Sequence, residues 1–319
     1  MKRAVGEIER ACEKEQRRGP SYLALVERGE LTKRAEEAAR WYANCRLCPN
    51  GCGVDRTTIA RGLCRSSDKA MVSSHNVHLG EEPPISGTHG SGTIFFTNCT
   101  LSCVFCQNFP ISQLGTGREV SDAELAGMYL DLQRRGCHNV NFVTPSHFIP
   151  SILRALVMAA EKGFHLPFVY NTSGYDSVEA LRLLDGVIDV FMPDIKYASN
   201  EIALQYSRCS DYVERDRAAL KEMYRQVGRL QTDENGVAIR GMLVRHLILP
   251  GGAAGSIESL KWLAENVDPE LHLSVMSQYF PAHRALEMPP MDRRVTPAEY
   301  KIVSDFIETT GFQGWTQPL

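Results

Sequence analysis

Residues 96–108 read FTNCTLSCVFCQN, three cysteines in eight positions, Cys99, Cys103 and Cys106, at the end of an apolar run that reads as a strand. A structural zinc site takes four protein ligands, an ordinary iron–sulfur cluster takes four thiolates, and disulfides need an even count. Three thiols on one loop therefore leave a position open.

Apolar, strand-like runs alternate with amphipathic stretches outward from this loop. GTIFFTN (92–98) precedes it, and Ser121 to Glu124 form a capping box that opens a helix running to Arg135. NVNFVTP (139–145), LPFVYNTSG (166–174), VIDVFMPDIKY (187–197), GMLVRHLILPG (241–251) and LHLSVMSQY (271–279) follow. Helical segments are expected near 148–162 and 177–184, in a long region ending near Val227, and over 256–266. Six strand–helix units rich in Val, Ile, Leu and Phe imply a parallel sheet. Six are too few for an eight-stranded barrel, so the expected fold is α/β, a partial (β/α)6 barrel, with a flat doubly wound sheet as the alternative. In either shape chemistry gathers at the strands' C-terminal ends. The polar strand endings fall there: Thr144, Pro145 and Ser146; Asn171 and Ser173; Asp194 and Lys196; Arg245.

The chain has 319 residues, 43% hydrophobic and 23% charged, with a net charge of -3. That balance gives no general attraction to nucleic acid or to an anionic membrane. The N-terminus alternates charges without an apolar core, so no signal peptide or span is expected and the protein is read as cytoplasmic. Ten cysteines in such a chain point to metal or redox chemistry. Cys45, Cys48, Cys52 and Cys64 form a second group, C-x2-C-x3-C-x11-C, whose tight turns at Pro49, Gly51, Gly53 and Gly62 suggest a closed metal site. Structural zinc, a single iron or an auxiliary iron–sulfur cluster all remain open for it. Cys12, Cys137 and Cys209 stand alone and read as small idle or buried thiols. The connection HNVHLGEEPPISGTHGSG (75–92) is polar and turn-rich, and it reads as a lid-like or binding segment. Its Glu81, Glu82, His75, His78 and His89 lack the spacing of a metal site.

The spacing C-x3-C-x2-C on the loop leaving the first strand, with Phe105 beside the last thiolate, resembles the radical S-adenosylmethionine superfamily. The runs NCTLSCVFCQN, NVNFVTPSHF, VYNTSGYD, FMPDIKY, VRHLILPG and SQYFP resemble its pyruvate formate-lyase activating enzyme group, in the branch with a cysteine-rich N-terminal extension. The resemblance implies a [4Fe-4S] cluster on Cys99, Cys103 and Cys106, whose open iron is chelated by S-adenosylmethionine. Reductive cleavage then gives a 5'-deoxyadenosyl radical that abstracts hydrogen, with no catalytic residue beyond cluster and cofactor. It also implies an electron donor of the flavodoxin or ferredoxin type and a protein or peptide substrate.

Carried over by position, Phe105 shields the cluster, and Thr144, Pro145 and Ser146 stand where the superfamily has a glycine-rich turn that meets the cofactor's amino group. Two glycines of that turn are missing here. Asn171 and Ser173 are expected to contact ribose or amino acid, or else to serve as a cap and a turn. Asp194 matches an acid that serves a monovalent cation in the activating enzymes. Lys196 and Arg245 are expected to hold the methionine carboxylate, or else to pair with Asp194. Leu249 would lie near the adenine. His246, on the face opposite Arg245, is expected to be a satisfied, helix-facing histidine. The expected organisation is a helical segment at 1–40, a cysteine-rich metal-binding subdomain with the lid-like loop at 41–90, and a radical barrel with a C-terminal helix at 91–319. Activation of a protein or peptide is the first functional expectation. Oxidation or rearrangement of a small molecule or peptide, assisted by the second metal, is the alternative. An electron carrier is disfavoured, since it needs a fourth cluster ligand and no Lys196 or Arg245.

Overall fold

The computed structural model describes residues 19–317, so Cys12 and the first part of the expected N-terminal helical segment lie outside the described residues. Six parallel strands, β2 (Ser91–Phe96), β4 (Val140–Val143), β5 (Phe168–Thr172), β6 (Val190–Pro193), β8 (Ala238–Leu247) and β9 (His272–Met276), pair in chain order. They coincide with the six runs singled out in the sequence. Because the order never reverses, right-handed crossovers put every connecting helix on one side of the sheet. The sheet then curls around its other face, which gives the partial barrel and rules out the doubly wound alternative.

Alternation along each strand separates the two faces. Phe96, Phe142 and Phe168 face the helices, where Phe142 meets the Phe168 ring at 4.7 Å and Tyr129 at 5.4 Å. Val169, Val190, Met192 and Leu243 line the inside. Local signals set the helix boundaries. In α5 (Asp122–Arg134), Glu124 N–H donates to Ser121 Oγ at 3.2 Å and Ser121 N–H to the Glu124 carboxylate at 2.8 Å. α6 (Ile149–Ala160) and α10 (Ser256–Asn266) also fall where expected. The long region ending at Val227 is two helices, α8 (Asn200–Ser207) and α9 (Tyr212–Val227), broken at Arg208 in a left-handed conformation.

The sheet extends beyond the expected barrel at both ends. β1 (Ala70–His78) pairs antiparallel with β2 and carries β3 (Arg118–Val120) at its other edge, so the sheet begins before residue 91. The C-terminal helix α11 (Pro297–Glu308) is followed by β10 (Gln313–Thr316), parallel to β9. β7 (Gln231–Thr232) forms a small hairpin with β8. At the front, α1 (Tyr22–Glu27) and α2 (Glu30–Arg40) pack on the barrel's helical layer, with Tyr22 stacked near Phe164 and Phe168.

The lid-like loop is the main correction. Residues 79–90 run from β1 to the lower end of β2 and include the short helix α3 (Pro83–Ser86). Ile85 is fully buried among Val169, Val190, Met192 and Leu243, and Asn139 Nδ2 donates to its carbonyl at 2.8 Å. The segment is a plug in the lower mouth of the barrel, opposite the rim that a lid would cover. Ile85 is drawn inside, while Leu79 stays exposed, because a six-stranded barrel leaves an open seam to fill. Cover over the rim comes from residues after β9: Ala285 N–H donates to the Val104 carbonyl at 3.0 Å and His283 stacks on Phe109 at 4.7 Å.

Candidate active site

β2 hands the chain to the cysteine loop through Asn98, which adopts φ 71° and donates through Nδ2 to Ser66 Oγ at 3.1 Å. Asn tolerates that left-handed turn better than most residues. Hydrogen bonds to backbone carbonyls then shape the loop: Ser102 N–H reaches the Ser207 carbonyl at 3.2 Å, Val104 N–H the Tyr206 carbonyl at 2.8 Å, and the Gln113 side chain, through Nε2, the Cys103 carbonyl at 2.7 Å. Each of the three sulfurs has a polar neighbour. Ser207 Oγ donates to Cys103 Sγ at 3.0 Å, Leu101 N–H to Cys99 Sγ at 3.4 Å, and Ser112 Oγ lies 3.2 Å from Cys106 Sγ. Phe105 is buried, edge-on to Tyr279 at 5.9 Å and Tyr197 at 6.5 Å.

Burial, then Cys103 and Cys106, push the Cys99 thiol up to about 12. Buried, crowded thiols of this kind need a cation to become thiolates. The donor set, three soft thiols with hydrogen bonds to sulfur, fits an iron–sulfur cluster with one iron left open. Among the described residues, no three His, Cys, Asp or Glu side chains are arranged as ligands of one ion. The thiolates of a cluster bind separate irons and need not converge on one centre.

The strand ends beside the loop assemble the expected polar residues into one network. Arg245 donates through Nε to Asp194 Oδ1 at 2.9 Å and through Nη2 to Asn171 Oδ1 at 2.8 Å, and Lys196 Nζ reaches Asp194 Oδ2 at 2.5 Å. Burial works against the Asp194 charge, yet Arg245 and Lys196 hold its carboxyl below the ordinary value. Burial also opposes the charge on Lys196, while Asp194 and Cys103 raise it. The lysine therefore sits in the electrostatic reach of both the network and the cysteine loop.

Thr144 adopts φ 60°, a conformation a β-branched residue rarely takes, and its N–H donates to the Asn171 carbonyl at 2.9 Å. The turn thus keeps a glycine-like backbone shape without the glycine. Ser146 is buried with Oγ 3.5 Å from Thr172 Oγ1, and Pro145 starts the 3-10 turn Ser146–Phe148. Neither Asn171 nor Ser173 caps a helix. Ser177 caps α7 (Val178–Arg182), and the Ser173 carbonyl accepts from Tyr212 OH at 2.8 Å. Leu249 is buried just before the turn Pro250–Gly252, in the same core cluster as Phe105, Tyr197 and Tyr279. His246 bonds the Ile195 carbonyl and Ser256 Oγ, each at 2.8 Å, which makes it a satisfied structural histidine.

The N-terminal cysteines gather against the same rim. Cys45 N–H donates to the Val54 carbonyl and Gly53 N–H to the Cys45 carbonyl, Gly51 and Gly53 take positive φ, and a side chain at Gly62 would press on Cys52 Sγ. Burial, then Cys64, raises the Cys48 thiol to about 12, with Cys45 and Cys52 adding to it. Asn50 Nδ2 docks this knot on the Thr100 carbonyl at 2.9 Å, next to Cys99.

Sequence reasoning missed Asp216 altogether. It is fully buried on α9 with both carboxylate oxygens unpartnered, and a side chain at Gly174 (φ 82°) would overlap it, so that turn requires glycine. Burial, then Asp194, pushes the Asp216 carboxyl well above its ordinary value. The folded state therefore binds a proton that the unfolded chain releases, and stability present at acid pH is lost as pH rises. The stability of Asp216→Asn relative to the wild type in urea unfolding should rise steadily from about pH 4, near the unfolded carboxyl's own value, to about pH 8. An equal gap at both pH values would mean that Asp216 does not titrate differently in the two states.

A sequence model of the Radical SAM superfamily matches residues 93–232, from β2 and the cysteine loop through β7. Uncharacterized protein MJ0674 of Methanocaldococcus jannaschii is 31% identical over 299 residues, 90% of this chain and 80% of its own length. Among solved structures, Streptococcus suis SuiB bound to S-adenosylmethionine has a TM-score of 0.48 at 11% identity, over 70% of this chain and 48% of that one. HydG, a maturase of the [FeFe]-hydrogenase, has a TM-score of 0.48 at 13% identity, over 69% and 50%. The chain spans about half the length of those two structures. With its cysteine loop inside the matched region, this chain belongs through residues 93–232 to the radical SAM superfamily, whose members work through a [4Fe-4S] cluster and S-adenosylmethionine.

Proposed function

We propose that this radical SAM enzyme abstracts hydrogen from a protein or peptide substrate, in the manner of the pyruvate formate-lyase activating enzyme group. The observation that carries the chemistry is the three-thiol loop with Lys196 within electrostatic reach of Cys103. Cys99, Cys103 and Cys106 would hold the cluster, and Lys196 and Arg245 the methionine carboxylate. Thr144, Pro145 and Ser146 would meet the amino group, Asn171 and Ser173 the polar remainder, and Leu249 the adenine. When bound, cluster and cofactor supply the electron and the 5'-deoxyadenosyl radical for hydrogen abstraction. Phe105, Tyr197 and Tyr279 exclude water from the loop, and the segment after β9 closes over it. The peptide assignment rests on the runs from NCTLSCVFCQN to SQYFP that resemble the activating enzymes. It is tested with peptides carrying α-deuterated glycine: deuterium should appear in 5'-deoxyadenosine. Cofactor cleavage without deuterium transfer from any such peptide would overturn it.

We further read Cys45, Cys48, Cys52 and Cys64 as ligands of a second metal, zinc, a single iron or an auxiliary cluster; since no three of them are arranged around one ion, the first two need the sulfurs to close in on metal binding. The contact between Asn50 and Thr100 favours the second functional reading, radical oxidation or rearrangement of a small molecule or peptide, if that metal proves to be a cluster. Electrons would come from a flavodoxin or ferredoxin-type donor in the cytoplasm. Among the described residues no helix is long and apolar enough to cross a membrane.

Lys196→Met isolates the carboxylate contact, because Asp194 keeps Arg245. Loss of a charge-assisted bond, about 1.5 kcal/mol or more, should weaken S-adenosylmethionine binding by about tenfold or more in equilibrium dialysis. Unchanged affinity would leave Lys196 as an ion-pair partner of Asp194 alone.

A further inference from the structure

The plug that closes the barrel also sends two acids upward into it. Glu81 and Glu82, at its start, have side chains only 10% and 5% exposed. Their carboxylates lie 3.8 and 4.0 Å from Arg245 Nη1, beyond hydrogen-bond distance, while Arg245 spends its other nitrogens on Asp194 and Asn171. With Asp194, the chamber holds one more carboxylate than it has cations in Lys196 and Arg245. Burial pushes Glu81 up to about 7, opposed by Arg245 and reinforced by the charge of Glu82 and a hydrogen bond with it, so the two acids share a proton until a cation reaches them. Uncompensated acids in such a place cost stability unless something cationic reaches them.

A second observation is independent of the acids. Asn141 is fully buried, and both its Oδ1 and its Nδ2 lack any partner. Its neighbour Phe142 belongs to the helix-side core, so alternation turns Asn141 into the barrel. Ser274, flanked by helix-side Leu273 and Val275, is likewise buried and inward with an unpartnered Oγ. Buried polar atoms are almost always satisfied, so these two inward-facing orphans, on β4 and β9 of the barrel's inner wall, call for polar partners that the chain does not supply, and Ser274 stands beside Arg245 in the β8–β9 pairing.

We propose that the barrel interior is the substrate chamber and that it takes a substrate bearing an ammonium group, held by Glu81 and Glu82 with Asn141 and Ser274 bonding the polar atoms beside it. An ammonium supplies three N–H donors and the missing positive charge. A carboxylate or phosphate would face the unmatched acids. This assignment rests on the radical reading of the rim, because it places the reacting group below the cofactor residues Asp194 and Arg245.

The test uses full-length, cluster-reconstituted protein with n-butylammonium chloride as the probe and sodium butyrate as its anionic counterpart. Saturation-transfer NMR should show the wild type binding butylammonium and not butyrate. The Glu81→Gln/Glu82→Gln double variant should raise the Kd at least tenfold. Asn141→Leu, which fills the same wall without polar atoms and decides the matter if the double variant misfolds, should also weaken binding. No butylammonium binding, equal binding of butyrate, or an unchanged Kd in the variants overturns the proposal. 5'-Deoxyadenosine is assayed on the same preparation. Its absence beside intact probe binding would sink the radical reading and leave the chamber standing, whereas its formation without probe binding would sink the chamber alone.

Discussion

Replacing Cys99, Cys103 and Cys106 together by Ala reduces 5'-deoxyadenosine formation under dithionite to background and lowers the iron content by about four atoms per chain. The loop is built so that each sulfur has its own support, from Leu101 N–H, Ser207 and Ser112. Cys99 and Cys103 pack only as half-buried side chains at the margin of the main core, where Ile94, Phe96, Phe142 and Phe168 do the packing. The loss should therefore be chemical and leave the unfolding transition nearly intact. Ala deprives Leu101 N–H, Ser207 and Ser112 of a weak sulfur partner each, but Ser207 keeps its bond to Tyr197 OH, so destabilisation stays small. The N-terminal knot keeps its own cysteines in this variant, and whatever metal it binds remains to be counted separately. Undiminished cleavage in the triple variant would remove the ground for placing a cluster on this loop.

The legible parts of this chain are those fixed by local pattern. Six apolar runs became six parallel strands in chain order, and Ser121 with Glu124 marked the start of α5 because a capping box is complete within four residues. Asp194 and Lys196 were readable as one side of a strand end, and the structure joins them to Arg245 and Asn171. What escaped was set by contacts between distant residues. HNVHLGEEPPISGTHGSG has no periodicity, and nothing in it says that Ile85 will meet Val169, Val190 and Leu243. Glu81 and Glu82 look like solvated acids until that anchor carries them inside. Asp216 sits in VERDRAALKEM among charges that are mostly solvent-facing, and only the packing of α9 against the ends of β5 and β6 buries it. β10 was missed because QGWT is short and gains its strand character from pairing with β9.

Arg56 is the residue on which the knot and the rim depend together, and Arg56→Met is expected to cost about 3 kcal/mol or more in urea unfolding. Its guanidinium is fully buried, donating to the Ser67 carbonyl through Nε at 3.0 Å and Nη2 at 2.5 Å, and to the His147 carbonyl through Nη1 at 2.7 Å. It lies over the Tyr42 ring at 4.6 Å and near Phe148 at 5.5 Å. Met preserves the length of the chain and abandons both carbonyls, which then stay buried without donors. His147 follows Ser146 directly, and its Nε2 bonds the Thr97 carbonyl just ahead of the cysteine loop, so the same substitution should also weaken S-adenosylmethionine binding. Among the described residues none of Arg56's partners is a carboxylate; beside the Tyr42 phenol, the acidic groups near it are the thiols of Cys64 and of Cys45, whose Sγ lies 3.7 Å from Nη1. A metal in the knot, as proposed above, would make those sulfurs thiolates and so balance the buried cation. A double-mutant cycle between Arg56→Met and Cys45→Ser should therefore show a coupling of about 1 kcal/mol or more in metal-loaded protein and little after chelation. Additive effects in the loaded protein would mean that the carbonyls alone hold the arginine and that the knot's thiols are neutral.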